Sequence, residues 1–290
     1  MKSGFVNILG KPNAGKSTLL NALVGEKLAI VSSKVQTTRH RIRAFLNGPD
    51  YQIVFSDTPG VIEPKYKLHE KMMHAVKTSM EDADVCLLVA DLRDDFMELD
   101  NLFSSLKLKV KSILVLNKSD IVRADRIQAA IAYFSDKPYC NKVQVISASS
   151  KLQVQELIQG IIDLLPEGEP FYGEDELTDM PTKFFTGELI REKIFELFDE
   201  EIPYQSTVLV SKFEEQQALI KISAEIIVQR ESQKAIILGT KGAMIKKLGM
   251  LSRQSIELFL DSKVYLELFV KVRSNWRNND LYLKEYGYIQ

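Results

Sequence analysis

The stretch Gly10-Lys11-Pro12-Asn13-Ala14-Gly15-Lys16-Ser17-Thr18 decides the fold. It follows the apolar run Phe5-Val6-Asn7-Ile8-Leu9 and precedes Leu19-Leu20-Asn21-Ala22-Leu23. Two glycines five residues apart, followed at once by Lys-Ser, fit Gly-x-x-x-x-Gly-Lys-Ser between a strand and a helix. The glycines let backbone N–H groups surround an anion without Cβ clashes. A helix beginning near Lys16 adds the partial positive charge of its N-terminus. Lys16 brings a mobile cation to a chain of phosphates, and the Ser17 hydroxyl is a hard oxygen ligand for magnesium. The bland alternative, a glycine turn capped by serine, makes the flanking strand and helix coincidences.

Outward from this loop, short apolar runs recur at Phe5–Leu9, Ile53–Phe55, Val85–Ala90, Ile113–Leu116 and Val143–Ile146. Short Val/Ile/Leu-rich runs bounded by turn residues read as buried parallel strands. Helical periods lie between them. Leu68, Met72, Val76 and Met80 step by four, and Val154, Leu157, Ile158, Ile161, Ile162 and Leu165 form one stripe. Alternating strands and helices imply right-handed crossovers and an open, mostly parallel α/β sheet over residues 1–165. Arg41–Asn47 and Tyr51–Ser56 flank Gly48-Pro49-Asp50 and are expected to pair as an antiparallel hairpin. Residues 166–181, PEGEPFYGEDELTDMP, carry three prolines, two glycines and six acidic residues, the composition of a linker. Beyond it the order becomes α-β-β-α-α-β, a smaller α+β domain over 182–290. Its strands are expected at Ser206–Lys212, Ile220–Val228 and Val264–Val272, with a helix over Ala243–Leu260.

Bulk properties narrow the class. The 290 residues are 45% hydrophobic and 27% charged, enough for two domains with real cores, and the net charge of -1 leaves any nucleic-acid site to a local patch. Two cysteines, Cys86 and Cys140, argue against a disulfide framework and for a reducing compartment. The start has no long apolar segment and no run of about 18 apolar residues occurs, so a cytoplasmic protein is expected, with peripheral contact on the inner face of the membrane left open.

Two further motifs lie at strand ends. Asp57-Thr58-Pro59-Gly60, with Val61 after it, follows Ile53-Val54-Phe55. An aspartate there can hold a magnesium shell, and the Gly60 N–H can meet a γ-phosphate. Asn117-Lys118-Ser119-Asp120 follows Ile113–Leu116. An ionised Asp120 has acceptors only, so it suits the N1–H and N2 amine of guanine and conflicts with the unprotonated N1 of adenine. Unpaired buried polar groups cost about 1–3 kcal/mol each, so such a site rejects the wrong base. Lys118 can cover the base with its stem, and Ser147-Ala148-Ser149 supplies a backbone N–H for the guanine carbonyl. A GTP/GDP site is therefore expected, not an ATP site.

These motifs, with Val35-Gln36-Thr37-Thr38-Arg39-His40-Arg41-Ile42 between them, resemble the Era family of bacterial GTPases in the TrmE–Era–EngA group. The resemblance covers almost the whole chain and implies a GTPase domain followed by a type II KH domain. It implies that Thr37-Thr38 belong to switch I and that one of them closes on magnesium when GTP is bound; Thr38 is favoured over Thr37. The metal set is then Ser17, Thr38 and Asp57, and the catalytic set Lys16, Thr38 and Gly60. Val61 stands where Ras-like enzymes carry the glutamine that orients water. Valine cannot hydrogen-bond water, so intrinsic hydrolysis should be slow. In related GTPases the loop asparagine, here Asn13, helps hold potassium near the phosphates.

In the second domain, Ile237-Leu238-Gly239-Thr240-Lys241-Gly242-Ala243-Met244-Ile245-Lys246 resembles the GxxG element of KH modules. Backbone and Lys241 there can approach an RNA backbone. Arg230–Arg253 holds six basic residues and one acidic, a net +5. Ile236, Ile237 and Ile245 are expected as the floor for single-stranded bases, while Trp276 either stacks a base or lids the domain. A monomer is expected, and the resemblance implies that it acts on the 3′ end of 16S ribosomal RNA in assembling the 30S subunit. The competing reading is a signalling or membrane-associated GTPase whose C-terminal domain binds protein or lipid.

Overall fold

The structure, a computed structural model, describes residues 1–289. Chain contacts divide it into two compact units. The first comprises Met1–Ala29, Thr38–Glu63 and Met72–Asp179; the second comprises Ile30–Thr37, Pro64–Lys71 and the chain from Met180 onward.

The first unit alternates β1 (Lys2–Gly10), α1 (Lys16–Val24), β2 (Ile42–Gly48), β3 (Tyr51–Asp57) and α2 (Lys67–Glu81), whose first turn lies in the second unit. Then follow β4 (Val85–Asp91), α3 (Phe96–Ser105), β5 (Lys111–Asn117), α4 (Ala124–Phe134), β6 (Lys142–Val145) and α5 (Val154–Leu164). The sheet order is β2-β3-β1-β4-β5-β6; β2 alone runs antiparallel to its neighbour. The central strands are apolar on both faces because helices cover both. Leu9, Cys86, Leu88 and Leu114 lie in one cluster with Leu99, Phe103, Ala130 and Phe134, all fully or almost fully buried. Burial of each such aliphatic side chain contributes about 1.5–3 kcal/mol. Cys86 is thus a core residue, and its thiol is pushed up to about 12 by burial. The register places Gly10 opposite Val89, Ile8 opposite Asp57 and Asp91 opposite Asn117. The carboxyl ends of β1, β3, β4 and β5 therefore share one edge, where open α/β sheets bind ligands.

Residues 166–179 are held along this unit. The Gln52 side chain accepts from the Phe171 and Tyr172 N–H groups at 2.6 and 3.0 Å and donates to the Tyr172 carbonyl at 2.8 Å. Tyr172 stacks on Phe45 at 3.8 Å, the Phe45 N–H donates to the Leu177 carbonyl at 2.9 Å, and Arg43 pairs with Asp179 at 3.1 Å. The acidic, proline-rich stretch thus covers the exposed side of β2, which is otherwise an unpaired edge.

The second unit contains α6 (Thr182–Leu197), α7 (Ile202–Gln205), β7 (Thr207–Gln216), β8 (Leu219–Val228), α8 (Glu231–Leu238), α9 (Ala243–Leu260), β9 (Val264–Val272) and α10 (Asp280–Glu285). Its sheet runs β7-β8-β9, with β7 antiparallel and β9 parallel to β8. Period-two alternation in β8 turns Ile222, Ala224, Ile226 and Val228 inward onto α6, α8 and α9 through Leu189, Ile190, Ile194, Ile237, Leu248 and Ile256. Trp276 is fully buried and donates from Nε1 to the Gln205 carbonyl at 3.0 Å. It lids the domain, and its burial excludes base stacking.

Candidate functional site

The phosphate loop is built by backbone constraint. Gly15, at φ +95°, caps α1, which has no acidic residue in its first turn and no side-chain cap. Its first N–H groups and the N-terminal partial charge are thereby left for an anion. Lys16 folds back along the loop, donating to the Gly10 and Lys11 carbonyls at 3.2 and 2.9 Å. Asn13 takes φ +63°, the left-handed region an asparagine tolerates. A Cβ on Gly60 would stand 2.8 Å from the Pro12 nitrogen, so the Asp57–Gly60 turn lies directly against the loop. The Thr58 hydroxyl anchors that turn by donating to the Ile8 carbonyl at 2.9 Å, and the Val61 N–H donates to the Gly10 carbonyl at 3.2 Å. The Val61 side chain packs on the hydrophobic core.

Ser17, Thr38 and Asp57 converge. The Ser17 hydroxyl lies 2.7 Å from the Thr38 hydroxyl and donates to Asp57 Oδ2 at 2.7 Å; Thr38 Oγ1 reaches the same oxygen at 3.5 Å. Asp57 Oδ1 is buried without a hydrogen-bond partner. Two hydroxyl oxygens gathered at Asp57 Oδ2, on a carboxylate whose other oxygen has no partner, are hard ligands that fit a small divalent cation such as magnesium. The Thr37 hydroxyl has a partner of its own, donating to the Lys34 carbonyl at 2.7 Å. Burial pushes the Asp57 carboxyl up to about 6, against the opposing pull of Lys16 and the Ser17 and Thr38 hydroxyls. Burial likewise pulls Lys16 down to about 8, with Asp57 acting against it. A cation beside Asp57 and a phosphate beside Lys16 each favour the charged form that burial penalises.

The base motif is braced across the unit. Asn117 is buried; its Nδ2 donates to the Ala14 carbonyl at 2.9 Å and its Oδ1 accepts from the Ala148 N–H at 3.0 Å. One amide thus ties the phosphate loop to the Ser147–Ser149 turn. Lys118, at φ +65°, donates to the Asn13 carbonyl at 2.7 Å and pairs with Asp91 at 2.8 Å. Burial alone raises the Asp91 carboxyl, but hydrogen bonds from Arg93 and Lys118 outweigh it and hold the group down at about 2. Asp120 is exposed and Ala148 is buried, its N–H already committed to Asn117.

In the second unit, Gly239 and Gly242 take φ +68° and +78° around Thr240-Lys241, with Lys241 itself at φ +51°. The loop ends at the N-terminus of α9, next to a groove of about 750 Å³ lined by Ala243, Ile245, Lys246, Lys247, Met250, Arg253 and Leu268 among others. Apolar floor and basic rim suit a nucleic-acid strand.

Comparison with known proteins follows these two sites closely. Residues 5–118 match the 50S ribosome-binding GTPase family, and residues 201–277 match the KH domain family. The GTPase Era of Carboxydothermus hydrogenoformans is 43% identical over 293 residues, covering 100% of this chain and 98% of its own. The chain belongs to the Era family of GTPases. Era from Geotalea daltonii is 43% identical over 289 residues, 99% of this chain and 97% of its own. Among solved structures, a point variant of Aquifex aeolicus Era bound to GDP·AlF4- is 39% identical with a TM-score of 0.95 and full coverage of both chains. Era in complex with MgGDPNP and nucleotides 1506–1542 of 16S ribosomal RNA is 40% identical, with the same TM-score and coverage. The chain is accordingly a GTP-hydrolysing enzyme with a P-loop GTPase domain and a C-terminal KH domain.

One expected RNA-contacting residue of this Era-family chain is corrected. Ile237 is fully buried against Ile194, Phe198 and Leu248, because its position on α8 faces the sheet. Ile236, one residue earlier and so on another side of the helix, is 49% exposed. Asp91 is a site residue that sequence reasoning misses; its only signal is an acidic residue closing the β4 apolar run. Arg191, Glu192 and Lys34 carry no local signal. In the second unit, Arg191 Nη2 donates to the Thr37 carbonyl at 2.5 Å and Glu192 Oε1 accepts from the Val31 N–H at 3.1 Å.

No helix among the described residues is long and apolar enough to cross a membrane.

Proposed function

We propose that this chain binds GTP with magnesium at the β1–α1 loop, hydrolyses it, and binds the 3′ region of 16S ribosomal RNA through the KH loop during maturation of the 30S subunit. The observation that carries the reading is full-length similarity at 40% identity to an Era bound to MgGDPNP and nucleotides 1506–1542 of 16S RNA, joined to the two built sites. The α1 N-terminus, Lys16 and the loop N–H groups hold the phosphates. Ser17, Thr38 and Asp57 hold magnesium, which when bound offsets charge on the transferring phosphoryl group. The Gly60 N–H faces the γ-phosphate, and Asp120 reads guanine. Gly239, Thr240, Lys241 and Gly242 receive the RNA backbone while Ile245 and Lys246 border the strand.

Val61 supplies no hydrogen bond to water, so turnover rests on positioning and on cations. Asn13, held at the loop apex, is the residue through which potassium stimulates. GTP hydrolysis in matched sodium and potassium buffers tests that part; equal rates remove it. RNA recognition is tested by crosslinking the full chain to cellular RNA in GTP-bound and GDP-bound states. Enrichment of the 3′ end of 16S RNA in one state supports the reading, and uniform recovery across RNAs overturns it.

A further inference from the structure

The ends of β4 and β5 are locked side by side. Asp91 faces Asn117 in the parallel register, the Leu92 N–H donates to the Asn117 carbonyl at 3.2 Å, and the Ser119 N–H donates to the Ile146 carbonyl at 3.1 Å. The peptides on both sides of Lys118 are thereby tied, and the residue sits at φ +65°, a region a lysine rarely takes. From there its side chain runs back across the phosphate loop. Its Cε passes 3.9 Å from the position a Cβ on Gly15 would occupy, and its Nζ ends between the Asn13 carbonyl at 2.7 Å and Asp91 Oδ2 at 2.8 Å.

Asp91 is itself fixed. Its side chain is 6% exposed; Arg93 donates to Oδ1 from its backbone N–H and from Nε, both at 3.0 Å, and to Oδ2 from Nη2 at 2.6 Å. Arg93 follows two residues later and folds back, so the carboxylate is aimed before any ligand arrives. A buried ion pair adds little net stability over apolar side chains of similar volume, so stability alone is a weak reason for an acid here. The carboxylate also stands one lysine away from the phosphate loop, where charge alone opposes an anionic ligand. All of these groups lie in the first unit.

We propose that Asp91 is a positioning residue for the guanine base: it anchors the Lys118 ammonium so that the methylene stem stands as a ready-made shelf against one face of the base. The inference rests on the reading of Lys118 as the residue that covers the base. A free lysine stem samples many rotamers, and holding it still against a base costs affinity. The anchor meets that cost in the nucleotide-free protein. GDP and GTP carry the same base, so both gain alike.

The test is calorimetric titration of the full chain with GDP and with a non-hydrolysable GTP analogue. Asp91→Ala frees the ammonium, and both affinities fall together by about three- to tenfold, the size expected for one long side chain left to be immobilised on binding. Charge alone predicts the opposite sign, because the substitution removes a negative charge near an anion. A double-mutant cycle separates positioning from a general loss of folding. Once Lys118→Ala has removed the shelf, adding Asp91→Ala changes either affinity by less than about twofold, although the melting temperature still drops. Should Asp91→Ala not fold, Asp91→Asn, which keeps the volume and one acceptor oxygen, carries the same cycle with a loss of about threefold. Unchanged or tighter binding in the Asp91 variants, an equal loss in both Lys118 backgrounds, or a loss confined to the GTP analogue overturns the proposal. Lys118→Ala separates the two levels: if it binds GDP as wild type does, the reading of Lys118 as the base cover fails, whereas a loss there with none in Asp91→Ala removes only the role of Asp91.

Discussion

Replacing Asn117 by alanine should damage two loops at once. The side chain donates to the Ala14 carbonyl and accepts from the Ala148 N–H, both in fully buried surroundings. Alanine leaves one backbone acceptor and one donor unpaired. Each costs roughly 1–3 kcal/mol, so the loss is about 2–6 kcal/mol, a large share of the ~5–15 kcal/mol of a typical domain. Part of that loss appears in the melting temperature. The rest appears in nucleotide affinity, because a loosened phosphate loop must be reordered on binding. If half of it falls there, GDP and GTP affinities drop together by about 5–150-fold. Gly15→Ala should imitate the defect, since its Cβ would stand 2.3 Å from Asn117 Nδ2 at a φ of +95°. The assays are thermal unfolding of the nucleotide-free chain and calorimetric titration with each nucleotide. A melting temperature and affinities unchanged within error refute the strut. So would a loss confined to GTP, because the brace touches nothing that distinguishes the two nucleotides.

Asp120→Asn replaces one acceptor by a donor and should erode the preference for guanine over adenine nucleotides by about tenfold or more in competition binding; an unchanged preference removes the base assignment. Gly242→Asp should abolish binding to single-stranded RNA while GDP affinity stays at wild type. It is a cleaner probe than Gly239→Asp, because a Cβ at Gly242 meets open space whereas one at Gly239 would stand 2.7 Å from Met244. Asp91 titrates below the usual carboxylate range, at about 2 against 3.8. A depressed folded-state pKa contributes stability that is present above the unfolded value and lost as pH falls through the folded one. Acid unfolding should therefore show a component between about pH 4 and 2 that Asp91→Asn removes; identical acid limbs for the two proteins would contradict it.

The local devices were legible because they are short-range. Two glycines and Lys-Ser after a strand dictate a loop that needs positive φ and a helix start, and the structure begins α1 at Lys16. The hairpin of β2 and β3, the alternation of β8 and the span of α9 follow from period and turn chemistry in the same way. What the chain order cannot encode is choice among equivalent neighbours. Thr37 and Thr38 are the same residue type; packing turned one hydroxyl toward Asp57 and the other onto Lys34. Ile236 and Ile237 read alike, yet the angle of α8 on its sheet buries one and exposes the other. The composition of residues 166–179 suits a free linker, but Gln52 and Phe45 offered their backbone and rings a surface.

By itself, then, the sequence determined the chemistry: phosphate loop, guanine motif, strand and helix order, glycine-flanked basic loop. Only tertiary structure decided which atoms meet, as when Arg191 grips a carbonyl 154 residues away. The physical reason is that backbone conformation is a property of a few consecutive residues, whereas a contact between distant ones depends on how every intervening element packs.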